Sequence, residues 1–239
     1  MLKLRSVLID ALDEVGGQCV ALYPEKPIYD IPGHPAIHAG ALISQLEEQI
    51  APFATPRLLG RRVERLDGSA GRFVLGTDKG DEIHAKTVLL AAGAGAFGPN
   101  RPPLDGLAGF EASGGVQYYV RRREDFRGRS VVIAGGGDSA VDWALSLKDI
   151  AAKIYVVHRR PKFRAAPETT AQLDAAAAAG EIEMVIPYQL HALHGDGGLT
   201  SVEVSHLDGT TRHLPADRLL PFFGLSMDCL LYTSDAADE

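Results

Sequence analysis

Val131-Val132-Ile133-Ala134 runs straight into Gly135-Gly136-Gly137-Asp138-Ser139-Ala140, an apolar, mostly β-branched run followed by a GxGxxA turn that opens a helical pattern. Such a run suits a parallel strand covered on both faces. The glycines allow a tight reversal and let a pyrophosphate approach the backbone, while the amides and positive potential of the helix start attract phosphate. A glycine turn alone is weak evidence, but its place between strand and helix strengthens it. The next strand ends at His158-Arg159-Arg160, where an NAD site would carry an acid, and Arg164 follows after Pro161-Lys162-Phe163. An acid repels a 2′-phosphate, whereas guanidinium groups grip it. The expected ligand is therefore NADP, on Gly135, Gly137, Asp138, Ser139, Ala140, His158, Arg159, Arg160 and Arg164.

Downstream, residues 138–148 read as a helix, 153–158 as a strand and 168–179 as a second helix, followed by strands at 201–206, 212–214 and 217–224. Upstream, the same scheme is visible. Residues 5–10 read as a buried strand ending at Asp10, residues 36–50 as a helix entered through Pro35, and 62–66, 72–76 and 82–84 as a small meander. Thr87-Val88-Leu89-Leu90-Ala91-Ala92-Gly93 then reads as a return strand that echoes Leu219-Leu220-Pro221-Phe222-Phe223-Gly224. Two such copies predict two related nucleotide-binding units with a boundary near residues 111–115. Asp10 stands where an acid would meet an adenosine ribose. The first strand and glycine turn expected before Asp10 are not in the sequence, so Met1 reads as an internal methionine.

Composition agrees with this picture and removes alternatives. The chain has 239 residues and 46% hydrophobic content, enough to bury a sizeable core. Its net charge of -7 gives no reason to expect nucleic acid as a partner. Cys19 and Cys229 are its only cysteines, which excludes a CxxC and a disulfide framework and fits a reducing cytoplasm. No run resembles a signal peptide or a membrane span, so a soluble protein with no membrane partner is expected. His34 with His38, and His191 with His194, lack a carboxylate or third ligand at a known spacing, and no metal site is expected.

The stretch Asp13-Glu14-Val15-Gly16-Gly17-Gln18, Ala21-Leu22-Tyr23-Pro24-Glu25-Lys26 and Tyr29-Asp30-Ile31-Pro32-Gly33 is more diagnostic than any glycine turn. Through it, and from Met1 to about Ser226, the chain resembles the ferredoxin–NADP reductases of the thioredoxin-reductase-like type, which are bacterial homodimeric flavoproteins. The resemblance implies an α/β fold with two Rossmann-like, three-layer dinucleotide-binding domains of the FAD/NAD(P)-linked reductase type, the flavin domain incomplete at both ends. It implies FAD and NADP as cofactors. Asp10 would bind the adenosine ribose, Gln18 and Tyr23 would lie along the flavin, Val63 would meet the adenine through its backbone, and Phe97 would sit near the ring. The implied activity is electron transfer between NADPH and a ferredoxin or flavodoxin through FAD, the two units swivelling during turnover. No side-chain acid or base is required for hydride transfer, so no catalytic residue is named.

Expected boundaries are 1–112 for the FAD domain, 113–224 for the NADP domain and 225–228 for the start of a return. Residues 229–239 read like a translated sequencing adapter. Thioredoxin reductases of this architecture carry a CxxC before the NADP-unit strand; here that region, Gly115-Val116-Gln117-Tyr118-Tyr119-Val120, has no cysteine. Arg61, Arg62, Arg121, Arg122, Arg123, Arg127 and Arg129 are candidates for docking an acidic ferredoxin, although solvated turn arginines explain each one alone. Another NADPH-dependent flavin reductase, or a non-catalytic NADP-binding module, is the alternative reading.

Overall fold

The computed structural model describes residues 4–93 and 97–227, with the backbone alone for Phe97, Ser226 and Met227. The chain divides into two compact units, one running up to Phe97 and including Met227, the other spanning Gly98–Ser226. The second unit therefore starts well before residue 113. The reason is packing: Leu104, Leu107 and Phe110, on and before the helix Leu107–Ala112, rest on the core of the second unit. Residues 228 to 239, with Cys229 and the adapter-like tail, lie outside the described residues.

The second unit is built on a four-stranded parallel sheet in the order Glu183–Val185, Lys153–Val157, Ser130–Ala134, Arg218–Pro221. Strand order reverses at Ser130–Ala134, the topological switch point at which open α/β sheets bind ligands outside the carboxyl ends of their strands. Alternate residues serve opposite faces. Val132, Ala134, Tyr155, Val157 and Leu219 pack against Val202, Val204 and Leu214 of an antiparallel meander, Tyr188–His194, Ser201–His206 and Thr211–Pro215. Val131, Ile133, Ile154, Val156 and Leu220 are buried on the other face, where the helix Asp138–Leu147 contributes Ala140, Val141, Trp143, Ala144 and Leu147. Burial on both faces is why the strands read as unbroken apolar runs. A second helix, Pro167–Ala178, starts on its proline and buries Leu173 and Ala176.

The first unit repeats part of this plan. Leu8–Ile9 pairs in parallel with Arg57–Leu58, as Lys153–Val157 pairs with Glu183–Val185. A twelve-residue helix, Ala39–Ile50, lies between them in sequence, and the meander Val63–Ser69, Arg72–Thr77, Glu82–Ala85 follows. The expected return strand at residues 87–93 does not form: Leu89 is 90% exposed and Leu90 55%. Its counterpart Arg218–Pro221 is held by Ser130–Ala134, and among the described residues the first unit has no strand in that place. The expected strand 5–10 is observed over Leu8–Ile9 alone. A strand needs a neighbour for its amides and carbonyls, whatever its composition.

Candidate dinucleotide-binding sites

The turn after Ser130–Ala134 requires glycine at 135 and brings 136 against a side chain. Gly135 has φ +153, and a Cβ there would lie 2.7 Å from the carbonyl oxygen of Phe222. Gly136 lies against the ring of His158, where a Cβ would come within 2.3 Å of the imidazole. The Gly135 amide donates to the carbonyl of Val157 at 3.0 Å, and the Arg164 amide donates to that of Gly136 at 2.6 Å. The turn is thus tied to the strand end on one side and to the arginine loop on the other. Gly137 faces open space, and no side chain caps the helix Asp138–Leu147 that follows it. A Cβ-free cradle at an uncapped helix start is the geometry a pyrophosphate requires. Asp138 accepts a hydrogen bond from the Ala166 amide at 2.9 Å through Oδ1, fixing the loop, and Ala140 is fully buried beneath the turn.

His158, Arg159, Arg160 and Arg164 gather at the end of Lys153–Val157, as the sequence predicts. The three arginines are exposed, and none of their guanidinium groups has a carboxylate partner among the described residues. Elsewhere in this unit arginines are paired: Arg101 with Glu111, Arg122 with Asp125, Arg127 with Glu124 and Arg212 with Glu183. An unpaired cluster beside a phosphate cradle suits a further phosphate. Burial holds His158 below the usual histidine range, the nearby Arg159, Arg164 and Arg160 adding to it against an opposing bond from the Lys162 backbone. These causes favour the neutral ring. Its buried Nε2 has no hydrogen-bond partner among the described residues, and the ring packs on Phe163 at 5.0 Å between centroids. These observations fit NADP. Sequence reasoning passed over Phe163 as a spacer and did not connect Gly136 with His158, because the two meet only through space; the apolar residue inside Arg-Pro-Lys-Phe-Arg was the available signal.

In the first unit, Asp10 closes the strand Leu8–Ile9. Its Oδ1 accepts from the Leu12 amide at 2.9 Å, and its Oδ2 has no partner among the described residues. Gln18 begins the short helix Gln18–Ala21, and Gly16 is required before it, since a Cβ there would lie 2.4 Å from Val20. Gln18, Cys19, Tyr23, Lys26, Ile28 and Tyr29 line a cleft of about 440 Å³, with Lys26 Nζ 5.6 Å from the Tyr23 ring centroid. Cys19 was not expected there. Val63 opens the meander, its backbone paired with Thr77. The side chain of Phe97 lies outside the described residues. The free carboxylate oxygen at Asp10 and the aromatic-lined cleft fit the ribose and ring of a flavin dinucleotide.

Four of the seven arginines considered for docking are paired with carboxylates. Arg61 pairs with Asp81, Arg62 with Glu64, Arg122 with Asp125 and Arg127 with Glu124, while Arg123 donates to the carbonyl of Ser146 and Arg121 lies over the Tyr119 ring. Among the described residues, no helix is long and apolar enough to cross a membrane.

A family model described as pyridine nucleotide-disulphide oxidoreductase matches residues 7–238. The ferredoxin–NADP reductase of Gluconacetobacter diazotrophicus is 73% identical over 229 residues, taking in 95% of this chain and 67% of that protein. That of Granulibacter bethesdensis is 74% identical over 95% of this chain and 65% of its own length. This chain therefore spans about two thirds of the length of these curated relatives. The crystal structure of Lactococcus lactis thioredoxin reductase superposes with a TM-score of 0.77 over 99% of this chain and 75% of that one, at 21% identity, a likeness of fold alone. With the glycine turn, the arginine cluster and the two-unit α/β plan in place, these identities mean that the chain belongs to the ferredoxin–NADP reductases, within the pyridine nucleotide-disulphide oxidoreductase family.

Proposed function

We propose that this chain serves electron transfer between NADPH and a ferredoxin or flavodoxin through FAD. The observation that carries the NADP half is the unpaired trio Arg159, Arg160 and Arg164 at the strand end beside the Gly135–Gly137 turn. The names of the relatives, together with the lack of any CxxC in this sequence, support a ferredoxin rather than a disulfide as the other substrate. Gly135, Gly137, Asp138, Ser139 and Ala140 would hold the NADP pyrophosphate, the three arginines its 2′-phosphate, and His158 the wall beneath it. Asp10, Gln18, Tyr23, Val63 and Phe97 would hold FAD. Bound flavin supplies the exchange between hydride chemistry and single-electron transfer. The protein's own task is to position the rings and exclude water, so no side-chain proton donor is assigned. We further assign the protein to the cytoplasm as a homodimer without nucleic-acid or membrane partners, in keeping with its two cysteines and its net charge of -7.

The test is NADPH-driven reduction of added ferredoxin or flavodoxin by the purified chain supplied with FAD, alongside a reading frame extended at both ends. The extended protein is expected to be yellow and to reduce the carrier with NADPH in preference to NADH. The chain itself is expected to bind NADP in preference to NAD through the Gly135–Gly137 turn and the three arginines. A flavin-loaded extended protein that consumes NADPH with small acceptors yet passes nothing to either carrier would overturn the assignment.

A further inference from the structure

His194, Glu203 and His213 stand on the three neighbouring strands Tyr188–His194, Ser201–His206 and Thr211–Pro215. Leu193, Val202, Val204 and Leu214 turn into the core, so by strand alternation these three project from the opposite, solvent-facing side of the meander. Register sets their proximity: Glu203 is directly opposite His213, and His194 pairs with Ser201, two residues from Glu203. One ligand atom from each residue lies within 4.8 Å of the other two.

His194 is hydrogen-bonded to Glu203, and His213 stands beyond hydrogen-bonding reach of the same carboxylate oxygen. His194 Nε2 is 2.9 Å from Glu203 Oε2, while His213 Nε2 is 3.8 Å from the same oxygen, too far for a hydrogen bond. A tetrahedral ion with nitrogen and oxygen ligands at about 2.1 Å holds them roughly 3.4 Å apart, a value the two observed separations bracket. We propose that this face of the meander binds a divalent ion of borderline softness, Zn2+ foremost, through His194, Glu203 and His213, with water completing the shell. His191 lies on the same strand, next to a bulge between Leu190 and Ala192, and its charge also acts on Glu203. Side-chain exposures of 44% for His194 and 59% for His213, against 16% for Glu203, leave the imidazoles reachable around an anchored carboxylate. Sequence spacing gave His191 and His194 no third ligand; the meander supplies it from two other strands.

The site is tested by titrating the untagged, metal-stripped chain with Zn2+ in competition with a chromophoric chelator, and repeating this on His213→Ala and Glu203→Gln. The expected result is one Zn2+ per wild-type chain, with binding weakened by roughly 10- to 100-fold or more in each variant and NADP binding unchanged. His213 is so exposed that its removal should leave the fold intact, which circular dichroism checks. A wild-type chain that binds no stoichiometric Zn2+, or folded variants that bind it as tightly as wild type, would overturn the proposal.

Discussion

A guanidinium without a carboxylate is an open valence for an anion, and Arg159, Arg160 and Arg164 gather three at one strand end. Hydrogen bonds to charged groups contribute about 1.5–3 kcal/mol each. Replacing Arg159 and Arg164 together by alanine should therefore weaken NADP binding by about 100-fold or more, while NAD, which lacks the 2′-phosphate, keeps its affinity. Isothermal titration with both nucleotides reads the difference. Equal losses for NAD and NADP would mean that the arginines support the turn and do not select the ligand. At His158 partial burial, and after it the charges of Arg159, Arg164 and Arg160, disfavour the imidazolium, so the ring complements the arginines without adding to their charge.

At the scale of elements, two apolar stretches of similar composition have opposite fates. Ser130–Ala134 is paired on both sides and its Ile133 is fully buried. Ile133→Ala should cost about 2–5 kcal/mol, whereas Leu89→Ser should change stability by no more than about 0.5 kcal/mol. Chemical denaturation followed by circular dichroism compares the two, and a large cost at Leu89 would show that residues 87–93 are paired after all. The contrast marks where reading the sequence stops. The glycine turn, its flanking strand and helix, and the arginines were legible because local chemistry defines each of them. The return strand at 87–93 was not, since pairing is a tertiary property that composition cannot supply. Tyr188–His194 was hidden by its bulge, which breaks the period of two and turns Leu193 inward where alternation from Leu190 would place Ala192 and His194. Likewise, the short ribbon Pro27–Ile28 with Ile37–His38 has too few residues to show any period.

For the whole molecule, burial is uneven. The buried apolar side chains of the first unit, among the described residues, are Leu22, Ile37, Ala39 and Leu75, whereas the second unit buries both faces of a four-stranded sheet. A unit with so little apolar burial gains little to offset its conformational entropy. Amide hydrogen exchange should accordingly separate the two, with amides of Ser130–Ala134 and Lys153–Val157 far slower than those of Leu8–Ile9 and Glu82–Ala85. Equal protection in both units would mean that the first is stabilised by contacts beyond its own core.

The contact of Gly136 with His158 has a consequence for descent. A Cβ at 136 and the imidazole at 158 claim the same volume, so the two positions are epistatic: a lineage that enlarges residue 136 must also move or shrink residue 158. Substitutions at the two are thereby coupled, and one half of the nucleotide site cannot drift without the consent of the other.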